Sequence, residues 1–159
     1  MKRPGADTFD LFYGSLIERV NNSANGFGGL SEPEKLYYSV TLLINEVNNG
    51  GFDQYFFNSS GSYYRYAEKG LTLLGDTLVL ELLHQAKEIV FPGVPVPVDT
   101  GARRRLLPVA DPDAPDPEWV RKLDELDQRF YANPDDLSPR LEAFALEQGL
   151  VSKEENADD

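Results

Sequence analysis

The sequence predicts an all-α fold: a single compact multi-helix domain over residues 1–151, with a proline-rich irregular segment at 92–117 before the last two helices. Three observations carry this. Apolar residues recur at the three-and-four spacing of one helical face. Helix-start signals stand ahead of those stripes, most clearly Ser31-Glu32-Pro33-Glu34 and Asp76. No stretch sustains the alternation of a half-buried strand.

The first helix is expected over 7–22, with Asp7 as its cap and Phe9, Phe12, Tyr13, Leu16, Ile17 and Val20 on one face. Asn21 to Gly29 reads as a loop, since Asn and Gly tolerate positive φ and Asn side chains compete for backbone hydrogen bonds. Ser31 and Glu34 form a capping box with Pro33 in the first turn, and Leu36, Tyr37, Val40, Leu43, Ile44 and Val47 make the buried stripe that follows. Asn48-Asn49-Gly50 ends that helix, because Gly and Asn favour the left-handed conformation after a last turn.

A short helix is expected at 52–58 and another at 62–74. Gly75-Asp76 then breaks the chain, and Asp76 caps a helix running through Val90. The 92–117 segment holds seven of the eleven prolines, which forbid a continuous helix or a central strand. It reads as a packed extended segment, a flap or a linker, with Arg103-Arg104-Arg105 as its basic cluster. Glu118 to Tyr131 carries Trp119, Leu123, Leu126 and Phe130 on one stripe, and a last helix begins at Ser138-Pro139. Residues 152–159 read as an acidic, disordered tail.

The 159 residues include no cysteine, which excludes thiol catalysis, disulfides and thiolate metal sites and fits a reducing cytoplasm. Pro4, Gly5, Asp7 and Asp10 interrupt any secretory h-region, and no later run approaches the roughly 20 apolar residues of a membrane span. A cytoplasmic location is expected.

The formal charge is −12. Residues 117–159 alone hold twelve acidic against five basic groups, so most of the excess lies in the last quarter. Such a surface repels nucleic acid and anionic membrane and attracts basic partners. Asp124, Glu125, Asp127, Asp135, Asp136, Glu142 and Glu147 lie on or beside the last two helices. Carboxylates three or four apart on a helix stand about 5–6 Å apart, so such acids form rows.

Catalytic chemistry finds few footholds. His84 is the only histidine, and although Glu81-Leu82-Leu83-His84 has the carboxylate-x-x-histidine spacing of di-iron bundles, those sites need a second such motif. No catalytic residue, metal or cofactor is expected.

The densest motif is Asn45 to Gly61, which joins apolar helices through a polar, glycine-marked corner. Asn49, Gln54, Tyr55 and Asn58 are candidates for a small polar pocket there, with Gly50 and Gly51 allowing the corner. The structural reading is preferred: the amides cap helix ends, and Phe52, Tyr55 and Phe56 fill the core.

The run Glu46-Val-Asn-Asn-Gly-Gly-Phe-Asp-Gln-Tyr-Phe-Phe-Asn-Ser-Ser-Gly61 resembles the signature of a bacterial family of helical domains, many of unknown function, that includes an acidic DNA-mimic protein. Leu123-Asp124-Glu125-Leu126-Asp127-Gln128-Arg129-Phe130-Tyr131 resembles that family's second recurrent segment. The resemblance spans most of 31–147. It implies a compact helical fold and, from the mimic member, a non-enzymatic protein that binds a basic, DNA-binding regulator in place of DNA. Two alternatives stand beside that reading: a small-molecule-binding or enzymatic domain using the Asn49–Asn58 corner, and an immunity protein against a basic toxin.

Overall fold

Seven α-helices and two short 3-10 turns make up the computed structural model, which describes residues 4–133 and 137–153. In chain order these are α1 (Ala6–Asn22), α2 (Glu32–Phe57), α3 (Tyr64–Leu74), α4 (Thr77–Val90), α5 (Thr100–Leu106), α6 (Glu118–Tyr131) and α7 (Leu137–Glu147). The 3-10 turns are Gly26–Gly29 and Ser59–Tyr63. No strand occurs among the described residues.

The organising element is α2, which packs against α1, α3, α5, α6 and α7, while α4 lies between α3 and α6. Its start follows the expected chemistry: Ser31 Oγ accepts from the Glu34 N–H, and the Glu34 carboxylate accepts from the Ser31 N–H. Its apolar stripe is sealed, with Val40, Leu43, Val47, Phe52, Tyr55 and Phe56 removed from solvent. Aromatic edges join α1 and the first 3-10 turn to α2: Phe12 meets Tyr37 at 5.1 Å and Phe27 meets Tyr38 at 5.9 Å. The first pair is edge-to-face, which suits the ring quadrupoles, and the second is tilted.

Asp76 caps α4 as expected, accepting from the Val79 N–H at 3.0 Å, and Gly75 holds the left-handed φ of 71° that ends α3. The cap of α1 differs. Gly5 occupies the N-cap position and Asp7 lies inside the first turn, where its charge complements the exposed amide end. The corner breaks the helix where expected: φ/ψ of −157°/18° at Gly50 and 79°/−179° at Gly51 leave the helical region, and helical geometry resumes at Phe52, so α2 is two helices meeting at a kink.

The larger departure is α5. The proline-rich span contains a proline-free window in which Asp99 Oδ2 accepts from the Ala102 N–H and opens a seven-residue helix. This element is pinned to the body by Arg103, whose side chain is wholly buried. No helix among the described residues is long and apolar enough to cross a membrane. Of the expected tail, residues 154–159 lie outside the described residues.

Candidate functional site

The glycine kink sends α2 off in a second arm, residues 52–57, and each end of that arm is met by a charge from a distant segment. At its start, Asp127 Oδ1 on α6 accepts from the Phe52 N–H at 2.9 Å. A Cβ on Gly51 would stand 2.3 Å from the same carboxylate, so the close approach of Asp127 and the positive φ both require glycine there. At the other end Arg103 donates from Nε to Phe56 O at 3.0 Å and from Nη2 to Asn58 O at 2.8 Å. Arg104 donates to Phe57 O at 3.0 Å. An anion at the amide end and cations at the carbonyl end both complement the helix dipole.

Arg103 makes further bonds to Ser62 Oγ, Pro97 O, Val98 O and Thr100 Oγ1. Burial weakens the guanidinium's hold on its proton, yet carbonyls and hydroxyls rather than a carboxylate satisfy it. Gly61 is the residue that lets it in, since a Cβ there would lie 2.7 Å from Nε.

The corner amides face one another. Glu46 Oε2 accepts from Gln54 Nε2 at 2.8 Å and from Asn58 Nδ2 at 3.1 Å, and Asn49 Nδ2 donates to Gln54 Oε1. Glu46, outside the expected set, is thus the hub that binds Gln54 and Asn58. Tyr55 is fully buried among core groups, and burial first, then the nearby Tyr64, pushes its phenol well above the usual range. Gly50 abuts Gln54, whose Oε1 would meet a Cβ. These contacts close a structural joint around Asn49, Gln54, Tyr55 and Asn58.

The acids of the last two helices divide among several surroundings instead of forming a single row. Asp124 and Glu125 are exposed, but adjacent positions on α6 turn them apart. Asp124 joins Asp127 on the side facing the second arm, and Glu125 faces α4 beside His84, Lys122 and Arg129. Glu142 on α7 is half-buried near Tyr37, where burial and then the charges of Glu142 and Asp10 push the phenol up to about 12. Glu147 is exposed, and Asp135 and Asp136 lie outside the described residues. His84 pairs at 2.6 Å with Glu68 on α3, rather than with Glu81, which accepts from Gln85.

Asp124 and Asp127 open onto a groove of about 430 Å³ between the second arm of α2, the segment after α5, and α6. Its wall is apolar, with Phe57, Leu107, Val109, Trp119, Val120 and Leu123, and its other carboxylates are Asp53 and Asp116. Burial against this wall raises the carboxyls of Asp53 and Asp127. For Asp127 the Phe52 N–H opposes the rise, and the negative charges of Asp124 and Asp53 add to it. The one basic lining residue is Arg104, whose guanidinium lies 4.1 Å from the Phe57 ring centre. Asp53 and Asp116 were outside the expected acidic set. The signal that would have found Asp53 is its place in the signature, immediately after the apolar Phe52.

The family model described as DMP19-like protein matches residues 28–148, a span that holds the corner, the groove and both charged clasps. No curated protein and no solved structure matches the chain.

Proposed function

The chain belongs to the DMP19-like protein family, and from that premise we propose that it is a non-enzymatic, acidic interaction protein that binds a basic, DNA-binding protein in the manner of a DNA mimic. The family takes its name from DNA mimic protein 19. The observation that carries the reading is the pairing of this membership with a formal charge of −12. The exposed acids on α6 and the segment entering it support it: Asp111, Asp113, Asp116 and Asp124 are all exposed, and none is in an ion pair with a described residue. Other acids are paired with cations, as in Glu34 with Arg19, Glu32 with Lys35 and Glu118 with Lys122.

A field of unpaired carboxylates steers cationic partners and weakens with ionic strength over a Debye length of about 10 Å at 0.1 M salt. The immobilised protein, exposed to lysate from its source cells and eluted in a salt gradient, should release a DNA-binding protein whose capture falls with salt and with competing duplex DNA. Recovery of no DNA-binding protein, or capture indifferent to both competitors, would overturn the reading.

A further inference from the structure

The groove beside the corner has two properties that an acidic surface alone does not require. Its wall is apolar, with Val109 88 % and Phe57 49 % exposed. Its charge is unbalanced, with Asp53, Asp116, Asp124 and Asp127 against Arg104, and none of the four carboxylates is in an ion pair with a described residue. We propose that this groove is the docking site for a cationic segment of a partner protein in which apolar side chains stand between Arg or Lys residues. The proposal rests on the acidic-interaction reading above and assigns it a place.

Charge and shape together select this occupant. Nucleic acid and anionic ligands are repelled, and a neutral ligand would leave several carboxylates facing an apolar body without compensation. A divalent ion does not suit the site, because no metal-binding group of three acidic or imidazole side chains converges among the described residues. The volume lies within the ~300–1,000 Å³ of small binding sites and accommodates side chains rather than a folded face. Arg104 already illustrates the chemistry that fits: its guanidinium covers the Phe57 ring while donating to Phe57 O. Trp119 offers a second ring to an incoming cation, and tryptophan is the strongest of the cation–π partners.

Trp119 is the sole tryptophan, so its fluorescence reports on the groove directly. Two amidated peptides of equal charge, Arg-Lys-Leu-Phe-Lys-Arg and Arg-Lys-Ser-Ser-Lys-Arg, would be titrated against the full chain in low salt. Burial of the apolar pair predicts about tenfold or more tighter binding of the first peptide, with a Trp119 shift. Replacing Asp53 and Asp124 together by Asn should weaken that peptide about tenfold, and Val109→Ser should weaken it about threefold. Glu125→Gln with Glu147→Gln removes the same charge away from the groove and should leave affinity within about twofold. Circular dichroism of each variant confirms the fold.

Equal affinity for the two peptides, or equal losses from the Asp53/Asp124 and Glu125/Glu147 pairs, would overturn the groove and leave a diffuse acidic attraction standing. Selective peptide binding combined with a lysate experiment that yields no DNA-binding partner would uphold the groove and sink the mimic reading.

Discussion

Replacing Arg103 tests whether the segment after α4 is a fixed part of the fold. The side chain is fully buried and serves four main-chain carbonyls, Phe56, Asn58, Pro97 and Val98, together with the hydroxyls of Ser62 and Thr100. Arg103→Met keeps most of the volume and removes every donor, so it isolates the hydrogen bonds from the cavity. An acceptor left buried without a donor costs about 1–3 kcal/mol, and water entering the site recovers part of that for the carbonyls nearest the surface. A loss of about 3–5 kcal/mol is expected for Arg103→Met, and slightly more for Arg103→Ala, which adds a void. Against a typical total of about 5–15 kcal/mol this is a large share, equivalent to a fall in Tm of about 8–16 °C at this chain length. Arg103→Lys keeps the charge but has one compact head for two separated clusters of acceptors, and should fall about midway. Urea unfolding followed by circular dichroism measures all three. If Arg103→Met lies within about 1 kcal/mol of the parent, the clasp is not what holds α5 to the body.

Three further predictions concern the corner and the α2 start. Gly51→Ala combines a φ of 79° with a Cβ driven into Asp127, and should cost about 3 kcal/mol, part of which an Asp127→Ala background recovers; strictly additive losses would refute the shared contact. Asp127→Ala should cost about 1–2 kcal/mol by removing the Phe52 cap, whereas Asp127→Asn keeps an acceptor. Because burial raises the Asp127 carboxyl, the folded state holds that proton more tightly than the unfolded chain, and its contribution becomes less favourable as pH rises through the raised value. Asp127→Asn should therefore compare better with the parent at pH 7 than at pH 4 in urea titrations, and the reverse order would show that the cap's charge outweighs its burial. Glu34 has the opposite sign: burial would raise it, but hydrogen bonds from Arg19 and Ser31 prevail and hold it low. Its stabilisation is present above the ordinary carboxylate range and lost below it, so Glu34→Ala should cost about 1 kcal/mol at pH 7 and less at pH 3.

The helices were legible wherever their signals are local. The Ser31–Glu34 capping box, the Gly75–Asp76 break and the Phe52, Tyr55 and Phe56 core all depend on residues within a turn or two of one another. Helix α5 is hidden because prolines crowd both of its flanks, although Asp99 begins a stretch without any. Arg103 reads only as one of three residues in a basic cluster, since nothing in a basic triplet marks the residue with acceptors 41 to 47 positions upstream. Asp127 read as an outward acid for the same reason. Spacing gives the face of a helix but not what stands opposite it, and the neighbour of Asp127 is an amide 75 residues away. The groove needed both of those placements before its wall existed, so the sequence could offer only its ingredients, the aromatic Trp119 and the acids around it.

The double clasp on the second arm of α2 also fixes when that arm can settle. Six residues make too short a helix to persist unaided, and the groups that hold this one lie 47 residues downstream for Arg103 and 75 for Asp127. In chain order the signature precedes both groups, so its two clasps close only once α5 and then α6 are present, although Tyr64 and Phe91 already offer rings to Phe56. A chain stopped short of Arg103 would lack both clasps and leave Phe52 without its Phe130 neighbour. Completion of the signature is thus a long-range event, because a motif that is compact in sequence is held by groups far along the chain.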